Sequence, residues 1–167
     1  TVTLIIAAGI LTVLFPKISK KYVEKKYKEF NSMIFNCLKI ILFIYIPLTI
    51  FVIIFAKPLV KIVYFRGAFD VASLNSTTMC LRMYIIGITG ISIRDLFIKA
   101  LYCMEKGKKI VLISSMSVIL NVVLNCILFN KIGYIGLPLA TSLSVWIIIP
   151  ILVIYYLKVF KSKKNYE

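Results

Sequence analysis

The sequence contains no histidine, and only 6 of its 167 residues are Asp or Glu. The first absence removes the commonest metal ligand and general base. The second leaves no paired carboxylates for acid–base work, since all but Asp95 fall in polar segments between apolar runs or at the end of the chain. No catalytic constellation, metal-ligand cluster or cofactor motif is present in the pattern, which points away from an enzyme. The 4 cysteines, Cys37, Cys80, Cys103 and Cys126, are scattered without a CxxC pair. Each lies in or beside an apolar run, so small buried filler is their expected role. The chain opens on Thr1 inside an apolar run, without the positive flank and small-residue cleavage site of a signal peptide. It reads as a piece whose start lies within a helix.

What is abundant is hydrocarbon. Apolar residues make up 61% of the chain and the mean hydropathy is +0.98, where soluble domains run nearer roughly 45–50% apolar. This composition describes an integral membrane protein. The net charge of +15 would suggest nucleic acid on a soluble protein. Here the cations lie between apolar runs, so they are expected to set topology and to meet anionic membrane lipid, with no nucleic-acid partner.

The organising stretch is Pro16 to Asn31, which holds Lys17, Lys20, Lys21, Lys25, Lys26 and Lys28 against Glu24 and Glu29. Short cytoplasmic loops collect Lys and Arg, so this segment is placed inside and the later runs alternate from it. About five spans follow, at about 1–15, 34–56, 77–100, 110–130 and 132–157, with a basic cytoplasmic tail at 158–167. The first is expected to end at Pro16, and Pro47 should kink the second. Pro58 to Phe65 reads as a separate short helix along the outer interface, with Pro58 its first residue. Asn75, Ser76 and Thr77 match a glycosylation sequon, and helix capping explains them as well. This orientation puts 16 of the 21 Lys and Arg at inner ends and 5 at outer ends.

The third span must take in Arg82 and Arg94 near the hydrocarbon edges. Two readings stand: snorkelled arginines with an Asp95–Lys99 pair one turn apart, or exposure of the charge to a water-filled cavity. Gly87 and Gly90 on the same span suit close packing against a neighbour. Asn121 and Asn125 stack on one face of the fourth span and need partners on another helix. The candidate cavity residues are therefore Arg94, Asp95, Asn121 and Asn125.

Several segments taken together resemble one family. Leu14-Phe15-Pro16-Lys17-Ile18-Ser19, Phe65-Arg66-Gly67-Ala68-Phe69-Asp70, Ala100-Leu101-Tyr102, Asn121-Val122-Val123-Leu124-Asn125 and Gly136-Leu137-Pro138-Leu139-Ala140-Thr141-Ser142 are similar, in order and spacing, to the MurJ/MviN lipid II flippases of the MOP superfamily. The element at Arg66, Gly67, Phe69 and Asp70 is the most specific. The resemblance implies an all-α, polytopic membrane helical bundle, a partial MOP/MATE-like lobe completed by the remaining helices of a full-length transporter. It implies a place in the bacterial cytoplasmic membrane and a lipid-linked peptidoglycan precursor as cargo, carried from the inner to the outer leaflet by alternating access. Alternatives are a flippase for another polyprenyl-linked saccharide, a MATE-like antiporter, or a truncated remnant that transports nothing. Two positions depart from the family's pattern: Asp95 beside Arg94, and Lys108-Lys109 where relatives often have Thr-Pro.

The threading has a direct test. In a variant without the native cysteines, a thiol reagent that cannot cross membranes should label Ser73→Cys in intact cells and Ser19→Cys only after permeabilisation. The reverse pattern overturns the orientation.

Overall fold

The structure, a computed structural model, describes residues 14–64 and 70–164. Those residues are helical, with no strand among them. Helix α1 covers residues 14–23, α2 Tyr27–Tyr64, α3 Val71–Cys103, α4 Gly107–Ile132 and α5 Gly136–Lys164, with a 3-10 turn at Gly133–Ile135. By length and composition, Tyr27–Tyr64 and the stretch Gly107–Ser162 can cross a membrane. Helix α3, which carries Arg82, Arg94, Asp95 and Lys99, is the central one. It packs on α2 along one side and α5 along the other, while α4 reaches the bundle mainly through α5. The chain is a polytopic membrane helical bundle.

The local structure departs from the sequence reading in three places. The basic stretch is mostly helix: α1 runs through Pro16 to residue 23 and α2 begins at Tyr27, leaving a three-residue turn. Lys and Glu are good helix formers, so a polar stretch beside a membrane need not be a loop. Because α1 continues through Pro16, the helix does not end there, while residues 1–13 of the proposed first span lie outside the described residues. Pro58 does not start a separate helix, because α2 continues through it to Tyr64. Proline supplies no N–H to Ile54 O, and close to that gap Arg82 Nε donates to Ile53 O at 3.1 Å. Finally, Asn75, Ser76 and Thr77 are inside α3; its N-cap is Asp70, whose carboxylate accepts from Ser73 N at 2.8 Å. Hydrogen bonding from Ser73 also holds the Asp70 carboxyl below its ordinary range.

Two turns at the lysine-rich end are built alike. After α1, Lys26 N bonds to Lys21 O and Lys25 N to Tyr22 O; after α3, Lys106 N bonds to Leu101 O and Glu105 N to Tyr102 O. Both are Schellman C-caps, in which the residue in the left-handed region is usually glycine. Here Lys25 and Glu105 take that role, each at φ 58°.

The core is densest toward this basic end. Phe30, Ile34, Cys37, Ile41 and Tyr45 form a stripe on α2, and Leu96, Phe97, Ala100 and Leu101 on α3 join Ile148, Leu152, Tyr156 and Val159 on α5 in the same cluster. Tyr156 meets Phe97 edge-on with centroids 5.3 Å apart, and its hydroxyl donates to Asn31 Oδ1 at 2.9 Å. Of the cysteines, Cys37 is buried but Cys126 is exposed, so filler describes only the first.

Helices α3 and α5 approach closely because α3 offers glycine. A Cβ at Gly87 would overlap Ser142 Oγ and come within 3.0 Å of Ser142 Cα; one at Gly90 would meet Val145 Cγ1 at 3.0 Å. Small residues let helix backbones approach where no hydrophobic gain favours association. The gap is closed by side chains donating across it to backbone carbonyls, Ser142 Oγ to Met83 O at 2.6 Å and Trp146 Nε1 to Ile86 O at 3.1 Å. Gly87→Ala should therefore lower stability by about 1–3 kcal/mol, the usual penalty of overpacking. Thermal unfolding of the purified protein in detergent measures it, and an unchanged midpoint would show that the helices can separate at no cost.

Candidate functional site

Helix α4 carries Ser114, Ser117, Asn121 and Asn125, spaced by three, four and four residues, so they fall on one face. At the middle of that stripe, Asn121 Nδ2 donates to Ser144 Oγ at 3.2 Å and to Thr141 Oγ1 at 3.4 Å, both on α5. Those hydroxyls donate onward to backbone carbonyls, Thr141 to Leu137 O at 3.1 Å and Ser144 to Thr141 O at 2.9 Å. Asn125 Nδ2 donates to Asn121 Oδ1 at 3.0 Å. The donors thus run in one direction, and the chain begins at Asn125 Oδ1, which is buried and has no hydrogen-bond partner among the described residues.

Asn125 and Thr141 border a cavity of about 680 Å³ at the end of the bundle away from the basic turns. Its walls come from four helices and include Tyr64, Tyr84 and Tyr134. Tyr134 also ties its wall to α3 by donating to Ser76 Oγ. The cavity exists because α4 buries only Ile110, Ile113 and Ser117, all in its first half, so that its far half stands off from α3. Chemically, an aromatic wall with an amide and hydroxyls suits an uncharged, partly apolar group. Among the described residues no three His, Cys, Asp or Glu side chains converge to hold a metal ion.

Arg94 and Asp95 are elsewhere. Arg94 lines a second cavity, of about 180 Å³, with Ser114, Ser117 and Ile148 among its other walls. Its Nε and Nη2 atoms donate to Asp95 Oδ1 at 3.2 and 3.0 Å. The Asp95 carboxylate is therefore held by its neighbour, not by Lys99 one turn on. Neighbouring residues diverge on a helix, but the Arg94 side chain is long enough to fold back. The other arginine of this helix, Arg82, is fastened to α2 as described above. Of the four candidate residues, Asn125 lines the first cavity and Arg94 the second, while Asn121 and Asp95 line neither and are hydrogen-bonded to Asn125 and Arg94 respectively.

Of the outer motif, Arg66, Gly67 and Phe69 lie outside the described residues, and Asp70 caps α3. The sequence reading passed over Thr141, Ser144, Ser114 and Ser117. Helical periodicity was the available signal, since counting back from Asn121 in steps of three or four reaches both serines.

A family model described as lipid II flippase MurJ matches residues 2–166. Similar curated proteins include the probable lipid II flippase MurJ of Rickettsia prowazekii, 26% identical over 94% of this chain and 31% of its own length. That of Vibrio cholerae is 26% identical over 83% of this chain and 26% of its own length. A solved structure titled lipid II flippase MurJ, inward closed conformation, superimposes with a TM-score of 0.80 at 24% identity, covering 95% of this chain and 35% of that one. The chain thus spans about a third or less of these relatives, and the structural likeness bears on the fold.

The asparagine relay makes a double-mutant cycle informative. Asn121→Leu strands the Asn125 amide and should lower stability by about 1–3 kcal/mol. The double variant Asn121→Leu/Asn125→Leu should lose less than the sum of the single changes, with a coupling on the order of 1 kcal/mol. Additive losses in a detergent unfolding assay would mean that the two amides act separately.

Proposed function

The chain belongs to the lipid II flippase MurJ family, and from that premise we propose that it forms most of the second helical lobe of a transporter. Its cargo is the undecaprenyl-linked peptidoglycan precursor, moved from the inner to the outer leaflet of the bacterial cytoplasmic membrane by alternating access. The observation that carries this reading is the extent of the family match, residues 2–166.

The lobe's physical character supports it. A flippase lobe must rock as a unit, and the packed cluster of α2, α3 and α5 around Tyr156 and Phe97 gives this one a stiff end. It must also offer a polar surface within the membrane, and the α4 stripe with the Arg94 cavity supplies one. We assign Arg94, Asp95, Asn121 and Asn125 to the side of the lobe that borders the transport path. Arg94 is already neutralised by Asp95, so it suits a passing sugar hydroxyl better than a diphosphate, whose charge requires cations from the other lobe. The basic turns then face the cytoplasm, with spans at about 34–56, 77–100, 110–130 and 132–157.

The test is a transplant. The Vibrio cholerae relative with its aligned segment replaced by residues 2–166 should restore growth to bacteria depleted of their own lipid II flippase, and residues 1–167 alone should not. Rescue by the isolated chain, or a membrane-inserted chimera that never rescues, would refute the half-transporter reading.

A further inference from the structure

The two Schellman turns at the basic end have the same backbone but differ in how their lysines are paired. Around the first, Glu24 pairs with Lys26 at 3.2 Å and Lys20 at 3.9 Å, and Glu29 pairs with Lys21 at 2.7 Å. The Lys26 and Lys21 hydrogen bonds hold Glu24 and Glu29 below the usual carboxylate range. Around the second, Lys106, Lys108 and Lys109, with Lys158 and Lys161 at the end of α5, make no ion pair among the described residues. At the first turn both carboxylates are paired with lysines of the same stretch, whereas at the second, among the described residues, the lysines have no carboxylate partner.

The charged turn also has a hollow. A pocket of about 230 Å³ lies between the start of α4 and the end of α5, with Lys106 on one wall and Tyr155, Lys158, Val159 and Ser162 on the other. Two lysines, a tyrosine and a serine thus line one small space, with no acidic residue among them. Along α5 from this pocket, Ile154, Ile151 and Ile147 are exposed at 67%, 41% and 48%. Their spacing puts them on the helix face that carries Lys158, one to three turns deeper. A cationic hollow at one depth and a bare apolar strip above it match the two parts of a phospholipid.

We propose that this pocket binds the phosphate of an anionic phospholipid, such as phosphatidylglycerol, from the leaflet at the basic end, with its acyl chains along Ile147, Ile151 and Ile154. Placing that end in the inner leaflet rests on the function proposed above; the pocket itself does not. Lys106 and Lys158 donate charge-assisted hydrogen bonds to the phosphate oxygens, and Tyr155 and Ser162 complete the donor set. Seated there, the lipid bridges α4 to α5 at the end where α4 is otherwise held by Ile110 and Ile113.

Native mass spectrometry of the protein as its gene encodes it, in micelles containing phosphatidylglycerol and phosphatidylcholine, tests this. Lys106→Gln/Lys158→Gln should weaken phosphatidylglycerol retention on the order of 10-fold, as two lost lysine–lipid attractions imply, and leave phosphatidylcholine unchanged. Lys106→Arg/Lys158→Arg should retain the lipid. Lys25→Gln/Lys28→Gln, which removes the same charge at the first turn, should change retention little. An equal loss in both Gln variants, no loss in either, or preferential capture of a polyprenyl diphosphate over phosphatidylglycerol overturns the proposal. The assay needs no flipping, so its outcome is independent of the growth test.

Discussion

In hydrocarbon no water is available to a polar side chain, so each one that enters the bundle must find its partner on the protein. Much of this chain's tertiary structure follows from that constraint. Ser142 and Trp146 reach from α5 to carbonyls of α3, Arg82 reaches from α3 to a carbonyl of α2, and Thr49 and Thr89 meet 3.0 Å apart between α2 and α3. Asn121 joins α4 to α5. Apolar side chains gain little by leaving lipid for another helix, so these bonds fix which helices pair and in what register. Gly87 is what brings the Ser142 hydroxyl within reach of the α3 backbone.

How much of this could be read from the sequence depends on the range of each interaction. Membrane insertion and helical class follow from composition, and the need of Asn121 and Asn125 for partners follows from solvation alone. The identity of those partners does not: Thr141 and Ser144 lie 20 and 23 residues away from Asn121. Pro58 and Pro16 were misread for a related reason. Local rules treat proline as a boundary, but a long helix in a bundle can tolerate the lost bond when neighbouring groups, such as Arg82 beside Ile53 O, supply donors. The Asp95 partner was missed because the i, i+4 rule describes where side chains start, not how far a guanidinium can turn back.

The two ends of the bundle differ, and the difference has a structural cause. At the basic end α1 turns into α2 and α3 into α4 through short Schellman caps, so each hairpin is closed over large buried side chains such as Phe30 and Ile110. At the other end α2 and α3 are joined through residues 65–69, and α4 passes to α5 through Gly133 at φ 65° and a 3-10 turn. There Gly136 packs so closely that a Cβ would lie 2.6 Å from Leu128 C and O. The pivot between α4 and α5 is thus tight while the space between α4 and α3 is open, and the large cavity occupies that space.

A bundle that is stiff at one end and hollow at the other can change shape at the hollow end without losing its fold. If the bundle were equally packed along its length, a change at the α4–α5 seam would have to move the whole core, which dense packing resists. With the cavity present, the half of α4 far from the basic turns has room to shift relative to α3 while the cluster around Tyr156 and Phe97 stays intact. The asparagine relay would then be the element that registers the shift, because its terminal acceptor, Asn125 Oδ1, is buried without a partner among the described residues. An unpaired acceptor in a membrane is costly. Any arrangement that gives it a donor, whether from a ligand, water or a rotated tyrosine of the cavity wall, is favoured by that amount over one that does not. The bias therefore resides in α4, a helix of which only Ile110, Ile113 and Ser117 are buried.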